Sequence, residues 1–567
     1  MKTRRVKRTL VAKALRPGER AGAVRLTRRG LLAGAAGLGS AALLGPLVRS
    51  AGTAPVARAA TAPQGRVVFG MWQSPESLDP GTSGLISSGY ISLNVFDPLI
   101  WHLPGMRQGQ EYFPGLALRW EVSADAKQFT FHLRKDVKFH DGTPFTAQAV
   151  KDTLEHIVNP ETKSRSAITA LGPYSHTEVK ADDVVTIVFK ESNGAFLNNV
   201  ATSGLAPISP TALKQYGNQG VSQHPVGTGP FKFQEWVPGS HVTIVANPDY
   251  NWAPVVAHHQ GPPHLAEITY RIVPDASTRF NALKTGEVLV AENLAPTDVT
   301  ALLHAPNFTV FTASVTGMPY AIMVNVKRPP TDDLKVRQAL EFATNQEAII
   351  EALYKGIYQP AHNIFLPGTL SYDPSLDKMY QYNPARAKSL LDEAGWKAGP
   401  GGTRQKDGQP LRLQFINIAN FGFDQISQLL QAQWQDVGIQ TDISAQSFPT
   451  VAETYNKGDH NLADFFYYSV DPFLMRALYA CDQVAHGFNW MHYCDPQVDT
   501  LVSKGNATAD PAKRIPFFRQ AAKTAMEAAV VIPIYQQRAV FAASSRVQAV
   551  RFTVNGFPIF YDATLRA

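Results

Sequence analysis

The chain predicts an α/β protein, on three observations. The apolar face Ile426, Leu429, Leu430, Trp434 and Val437 stops at Gly438, and Ile439, Thr441 and Ile443 then alternate as a strand. A helix expected from about Asp510 leads in the same way into a strand-like run at 531–535. Further strands show by alternation (Phe129, Phe131 and Leu133 against Thr130 and His132) or by β-branched content at 184–189 and 242–245. Helix-to-strand handovers repeated along a chain are the pattern of α/β layers.

The N-terminus is read separately. Residues 1–58 hold thirteen Lys or Arg and one acid, Glu19, whereas the full chain of 567 residues has a formal charge of +7, so the remainder carries about −5. The basic character belongs to this leader, which removes the reason to expect a nucleic-acid partner. Thr27-Arg28-Arg29-Gly30-Leu31-Leu32 is a twin-arginine pattern, residues 31–48 are a mildly apolar run, and Ala57-Arg58-Ala59 has the small-x-small form of a cleavage site. Gly34, Gly37, Gly39, Gly45 and Pro46 break the run, so a signal peptide over 1–59 is expected rather than a permanent span. No cysteine near the cleavage point indicates a lipoprotein anchor. The expected location is periplasmic or extracellular, at the cell surface. In that oxidising setting Cys481 and Cys494 are expected to close a disulfide loop.

Along the body, His140-Asp141-Gly142-Thr143-Pro144 reads as a turn. Gly227-Thr228-Gly229 suggests a phosphate cradle, but Pro230 removes a donor, and no lysine or third glycine stands where a nucleotide loop needs one. The strand-like alternation after it argues for a tight turn entering a strand. Thr344 and Glu347 have capping-box spacing ahead of Ile349, Ile350, Leu353 and Tyr354. Asn383-Pro384 reads as an N-cap followed by proline at the first helical position.

Catalysis finds no footing. There is no HExxH or GxSxG, and the acid pairs Asp182-Asp183 and Asp332-Asp333 suit turns and caps. No catalytic residue and no cofactor is assigned. His258, His259 and His264 invite a metal reading, but no acid or cysteine stands near them in sequence, so no metal is assigned either.

Several blocks carry a family resemblance. LRWEVSADAKQFTFHLRKDVKFHDGTPFTAQAVKDTL at 118–154, PVGTGPFKFQEWVPGSHVTIVANPDY at 225–250, RIVPDASTRFNALKTG at 271–286 and the stretch 325–356 stand in the order found in family 5 extracellular solute-binding proteins, the oligopeptide- and dipeptide-binding type, which this chain resembles throughout its body. The resemblance implies a periplasmic-binding-protein-like fold of type II, the peptide-binding-protein subclass: two α/β lobes joined by a hinge, plus an extra smaller domain. Expected boundaries are 60–96 for the first part of lobe I, 97–224 for the extra domain, 225–318 for the return to lobe I, 319–538 for lobe II and 539–567 for the C-terminal return. It implies capture of a peptide or other small organic solute between the lobes and delivery to the permease and ATPase subunits of an ABC importer, the binding protein being a monomer. A sugar, a metal chelate or presentation to a sensor are the alternatives.

The resemblance also nominates ligand-binding residues. Peptide binders of this family carry an acid in an ADYxxP-like stretch that pairs with the peptide amine; aligning on Asp471-Pro472 puts Tyr468 at that position and leaves Asp471 on a later acidic one. Tyr467, Tyr468, Phe473 and Trp490 suggest an aromatic pocket, with only one of the two adjacent tyrosines facing the cleft at strand alternation. Trp72 and Gln73 follow the first strand at the cleft edge. Asn325 is a ligand contact or a hinge hydrogen bond, and Phe423 places a ring at the cleft or staples the helix after it.

Overall fold

Two mixed sheets organise the chain. The first runs Phe308–Ser314, Arg538–Ser544, Val290–Glu292, Arg66–Met71, Glu267–Ile272, His241–Ala246, Phe231–Val237. The second runs Gln359–Pro360, Val531–Gln536, Gly317–Val324, Leu462–Tyr468, Arg412–Ile418, Gln440–Gln446. These come from a computed structural model that describes residues 63–566 apart from 108–109, 165, 256, 420–422, 485–486, 509 and 554. The leader, with its twin-arginine and cleavage motifs, lies outside the described residues.

Both sheets are covered on both faces, so their central strands are apolar throughout rather than alternating. In Gly317–Val324 every residue is buried: Tyr320, Ile322 and Val324 enter one apolar cluster, and Met318, Ala321 and Met323 enter the other. In Arg66–Met71, Val67, Phe69 and Met71 join the core on one side while Val68 packs on the other.

After the first strand and the helix Ile86–Val95, the chain leaves to build a smaller domain: the antiparallel sheet Ala117–Val122, Gln128–Leu133, Val184–Phe189, Tyr174–Ala181 and the helix Ala147–Val158 packed against it. It returns at Gly227-Thr228-Gly229, which is a packed turn. The Gly229 N–H donates to the Val95 carbonyl at 2.9 Å, and a Cβ on Gly227 would sit 2.2 Å from that same oxygen. Departure and return are tied by the buried Asp97, whose carboxylate accepts from Thr228 Oγ1 (3.2 Å), Tyr250 OH (3.1 Å) and Trp252 Nε1 (3.0 Å).

The chain then crosses between the sheets twice, through 315–316 and through Gln537. Strand Gly317–Val324 starts just ahead of the expected lobe II boundary at 319. Local signals hold at two of the helix starts read from sequence: the Asn383 side chain accepts from Arg386 N–H and Asp510 from Ala512 N–H. The capping box at Thr344 is a correction. Asn345 is the cap of Gln346–Tyr354, accepting from Ala348 N–H, while Thr344 ends the preceding helix and its hydroxyl donates to the Leu340 carbonyl. Cys481 and Cys494 are disulfide-bonded, with Cα atoms 4.6 Å apart. Among the described residues no helix is long and apolar enough to cross a membrane.

Burial pushes the Asp97 carboxyl up to about 7 despite its three hydrogen-bond donors. The folded-state pKa is thus above the unfolded value, so the native state keeps a proton that the unfolded chain releases. The stability this group contributes is present at low pH and is lost as pH rises from about 4 to about 7. Against wild type, Asp97→Asn is expected to gain relative stability by up to about 4 kcal/mol across that window, read from urea midpoints. A difference between the two proteins that stays constant with pH would refute the assignment.

Candidate ligand-binding site

The ends of the strands leave a cleft between the two sheets and the smaller domain. Its larger part is a cavity of about 890 Å³. Lobe II contributes aromatic faces, Tyr467, Tyr468, Phe473 and Phe488, and the opposite wall contributes amides and hydroxyls, among them Asn198, Asn199, Thr202 and Ser77. A smaller cavity of about 440 Å³ adjoins it toward the crossings and shares Tyr468, Asn555 and Phe557.

Tyr467 and Tyr468 both line the cleft, which corrects the expectation that alternation admits only one. Alternation itself holds: Tyr467 lies against Phe465 and Phe488 on one face, and Tyr468 against Phe466 on the other. These are the last two residues of Leu462–Tyr468, paired with Met318 and Gly317 at the sheet's end, and the cleft wraps around that end. Burial pushes both phenol groups above the ordinary tyrosine value, so each is a neutral donor.

Trp72 and Phe423 line the smaller cavity. Phe423 is the residue just before the helix Asp424–Gln435, and its ring lies tilted against Tyr320 with centroids 4.2 Å apart. Gln73 lines neither cavity.

Three further candidates are corrected. Trp490 is 1% exposed and sits in the lobe II core among Tyr455, Phe465 and Phe488, its indole N–H donating to Asn456. Asn325 is buried inside lobe II; its amide donates to the Gly458 and His460 carbonyls and accepts from Lys327 N–H, so it pins a turn and lines neither cavity. Asp471 is not available to a ligand either. It makes a bidentate pair with Arg514 (2.5 and 3.0 Å), both side chains at most 2% exposed.

Arg514 also reaches the smaller domain. Its guanidinium donates to the Gly194 carbonyl of the smaller domain at 2.8 Å, and the Gly194 N–H donates to the Asn506 carbonyl at 2.9 Å. Sequence offers no signal for this contact, because residues 194, 471 and 514 are distant in the chain. The histidine cluster lies elsewhere: His259 stacks between His264 and Tyr561 and bonds Asp562. Among the described residues no group of three or more His, Cys, Asp or Glu could hold a metal ion.

Comparison with known proteins gives a consistent picture. The family model for bacterial extracellular solute-binding proteins, family 5 (middle region), matches residues 111–483. A di/tripeptide-binding protein 1 of Pseudomonas aeruginosa is 32% identical over 476 residues, 80% of this chain and 84% of the relative. A glutathione-binding protein GsiB of Pectobacterium atrosepticum is 29% identical over 502 residues, 86% of this chain and 92% of the relative. Among solved structures, NikA from Brucella suis with Fe(III)-EDTA superposes with a TM-score of 0.78 at 23% identity, covering 89% of this chain and all of that one. The oligopeptide-binding protein AppA from Bacillus subtilis with a nonapeptide gives 0.71 at 22% identity, covering 89% and 99%. These two structures establish the two-lobed type II fold.

The contact at Gly194 leaves no room for a side chain: a Cβ there would lie 2.7 Å from the Thr508 carbonyl and 2.9 Å from that of Asn506. Gly194→Ala is therefore expected to push the smaller domain off lobe II and open the cleft, seen as a larger radius of gyration in small-angle scattering. An unchanged scattering profile would show that this contact does not hold the cleft closed.

Proposed function

Because the chain belongs to the bacterial extracellular solute-binding proteins of family 5, which capture a solute and do not convert it, we propose that it seizes a short peptide in the cleft and presents it to the permease and ATPase of an ABC importer. The observation that carries this is the division of labour between the cleft walls. Closure takes a ligand's polar groups out of water, and each then needs a partner from the protein. The Asn198 amide and the side-chain oxygens of Asn199 and Thr202 supply polar partners that suit a peptide backbone, while Tyr467, Tyr468, Phe473 and Phe488 supply faces that accept side chains of many kinds. The larger cavity falls within the range of roughly 300–1,000 Å³ usual for small-ligand sites. The relatives named for di- and tripeptides and for glutathione, itself a tripeptide, favour a short peptide over a long one.

Delivery to the outside is assigned to the N-terminal leader. Its twin-arginine pattern is the route we propose, with the protein acting as a monomer at the cell surface. The double substitution Arg28→Lys with Arg29→Lys is expected to hold the protein in the cytoplasm; undiminished export would rule the route out.

Two measurements test the capture reading. Mass spectrometry of solute released by denaturing the purified protein is expected to show short peptides. Tyr468→Ala is expected to weaken binding of a retained peptide by about 2 kcal/mol, roughly 30-fold, as loss of a central aromatic contact does. Trp490→Ala, by contrast, is expected to cost about 3–5 kcal/mol of stability as a core cavity. If a broad screen of di- and tripeptides yields neither a change in tryptophan fluorescence nor a thermal shift, the reading fails.

A further inference from the structure

The smaller cavity contains an acid that nothing so far has used. Glu292 ends the strand Val290–Glu292 of lobe I, is 3% exposed and lines this cavity with Trp72, Tyr358, Tyr468 and Gln537. Its carboxylate accepts from the Trp72 backbone N–H at 3.3 Å and hydrogen-bonds the Tyr90 hydroxyl. Among the described residues no Lys, Arg or His nitrogen lies within 4 Å of it. A carboxylate so buried is costly without a cation beside it.

The backbone beneath Glu292 is held in one place. The Arg279 guanidinium donates to the carbonyls of Glu292, Asn293, Val273 and Pro274, which commits its donors to the main chain; its charge favours the Glu292 carboxylate without forming an ion pair with it. Asn293 takes a left-handed conformation, φ +47°, a strained state that asparagine tolerates better than most residues. Elsewhere in the same cavity, Gln537 is 7% exposed, and neither its amide nitrogen nor its amide oxygen has a hydrogen-bond partner among the described residues. A buried amide with both ends free is rare and points at something to bind. Arg538, on the same wall, makes no ion pair among the described residues.

We propose that Glu292 is the counter-charge for a protonated amine on the captured solute, with the free Gln537 amide in the same cavity open to another polar group of that solute. This inference rests on the peptide reading above and deepens it: the acid that receives the amine stands on lobe I, while the position the family uses for it on lobe II is Tyr468. An ammonium has three donors and no acceptor, so a buried carboxylate facing the cavity suits it. Burial pushes the Glu292 carboxyl up to about 7 even with its hydrogen bonds, the state of an acid that lacks a close cation. Arg538 selects further. It disfavours a solute with two positive ends and suits one that also carries a carboxylate, which makes a free-amine peptide a better guest than a polyamine.

The test uses an equimolar mixture of di- and tripeptides, half of them N-acetylated, incubated with the purified protein, freed of excess by rapid gel filtration and quantified by mass spectrometry after acid release. Wild type is expected to retain free-amine peptides over their acetylated forms by roughly tenfold or more, Glu292→Gln to bring the ratio close to one, and Glu292→Asp to restore part of it. A wild-type ratio near one, or a ratio unchanged in Glu292→Gln, overturns the role of Glu292 and leaves the capture of peptides standing. The wild-type ratio decides the matter even if the glutamine variant does not fold. Retention of no peptide at all overturns the peptide reading, and the assignment of Glu292 with it.

Discussion

The structure depends on one constraint: the chain passes between its two sheets twice, and both passes lie side by side. Ser314 pairs with Arg538 at the end of the first sheet, and Tyr320 pairs with Tyr535 in the second. Only Val315 and Thr316 lie between the strands on one pass and Gln537 on the other. A joint this narrow adds little packed surface of its own, so the lobes are free to change their angle about it, as hinge-closing binding proteins do. It also decides what lines the cleft. The residues there are those at strand ends around the joint, Glu292, Tyr467, Tyr468 and Gln537, the usual place for ligands in α/β sheets.

Away from the joint, the Asp471–Arg514 pair anchors the contact between lobe II and the smaller domain. A fully buried ion pair is weak evidence for stability, since desolvation offsets most of the attraction. Its value here is positional. With both Asp471 oxygens engaged, the guanidinium is fixed in orientation, and its remaining donors go to the Gly505 carbonyl and to the Gly194 carbonyl of the smaller domain. The neighbouring Gly194–Asn506 hydrogen bond forms only because no side chain intervenes.

Much of the fold was legible from local chemistry. The cap at Asn383, the helix that ends before Gly438 and the strand beyond it follow from spacing alone, and the ordered blocks from 118 onward gave the two-lobed topology by resemblance. The site was legible only in part. Tyr467, Tyr468, Trp72 and Phe423 lie on the cleft because strand ends can be located from sequence. Asp471 and Trp490 looked alike from sequence, polar or aromatic groups in loops, but their surroundings come from partners far along the chain: Arg514 for one, Tyr455 and Asn456 for the other. Thr344 lost its capping role to Asn345 by one residue, a shift that spacing does not resolve. Glu292 carried no signal at all, since an acid at a strand end is ordinary until Trp72, just after the first strand, is folded against it and a cavity forms over both.

The distribution of chemistry over the two lobes has a consequence for selectivity. Aromatic faces discriminate poorly among side chains, because any apolar or planar group gains from covering them. Buried amides and carboxylates discriminate strongly, because each one left unmatched costs free energy. In this cleft the tolerant surface is on lobe II, and the demanding groups, Asn198, Asn199 and Glu292, are on the opposite side with the hinge amide Gln537. A solute with a constant polar backbone and a variable side chain satisfies both walls at once. One with a constant apolar body and variable polar groups satisfies neither, because the unmatched groups would face the wall that penalises them. The arrangement therefore favours recognition by what all short peptides share over what distinguishes them.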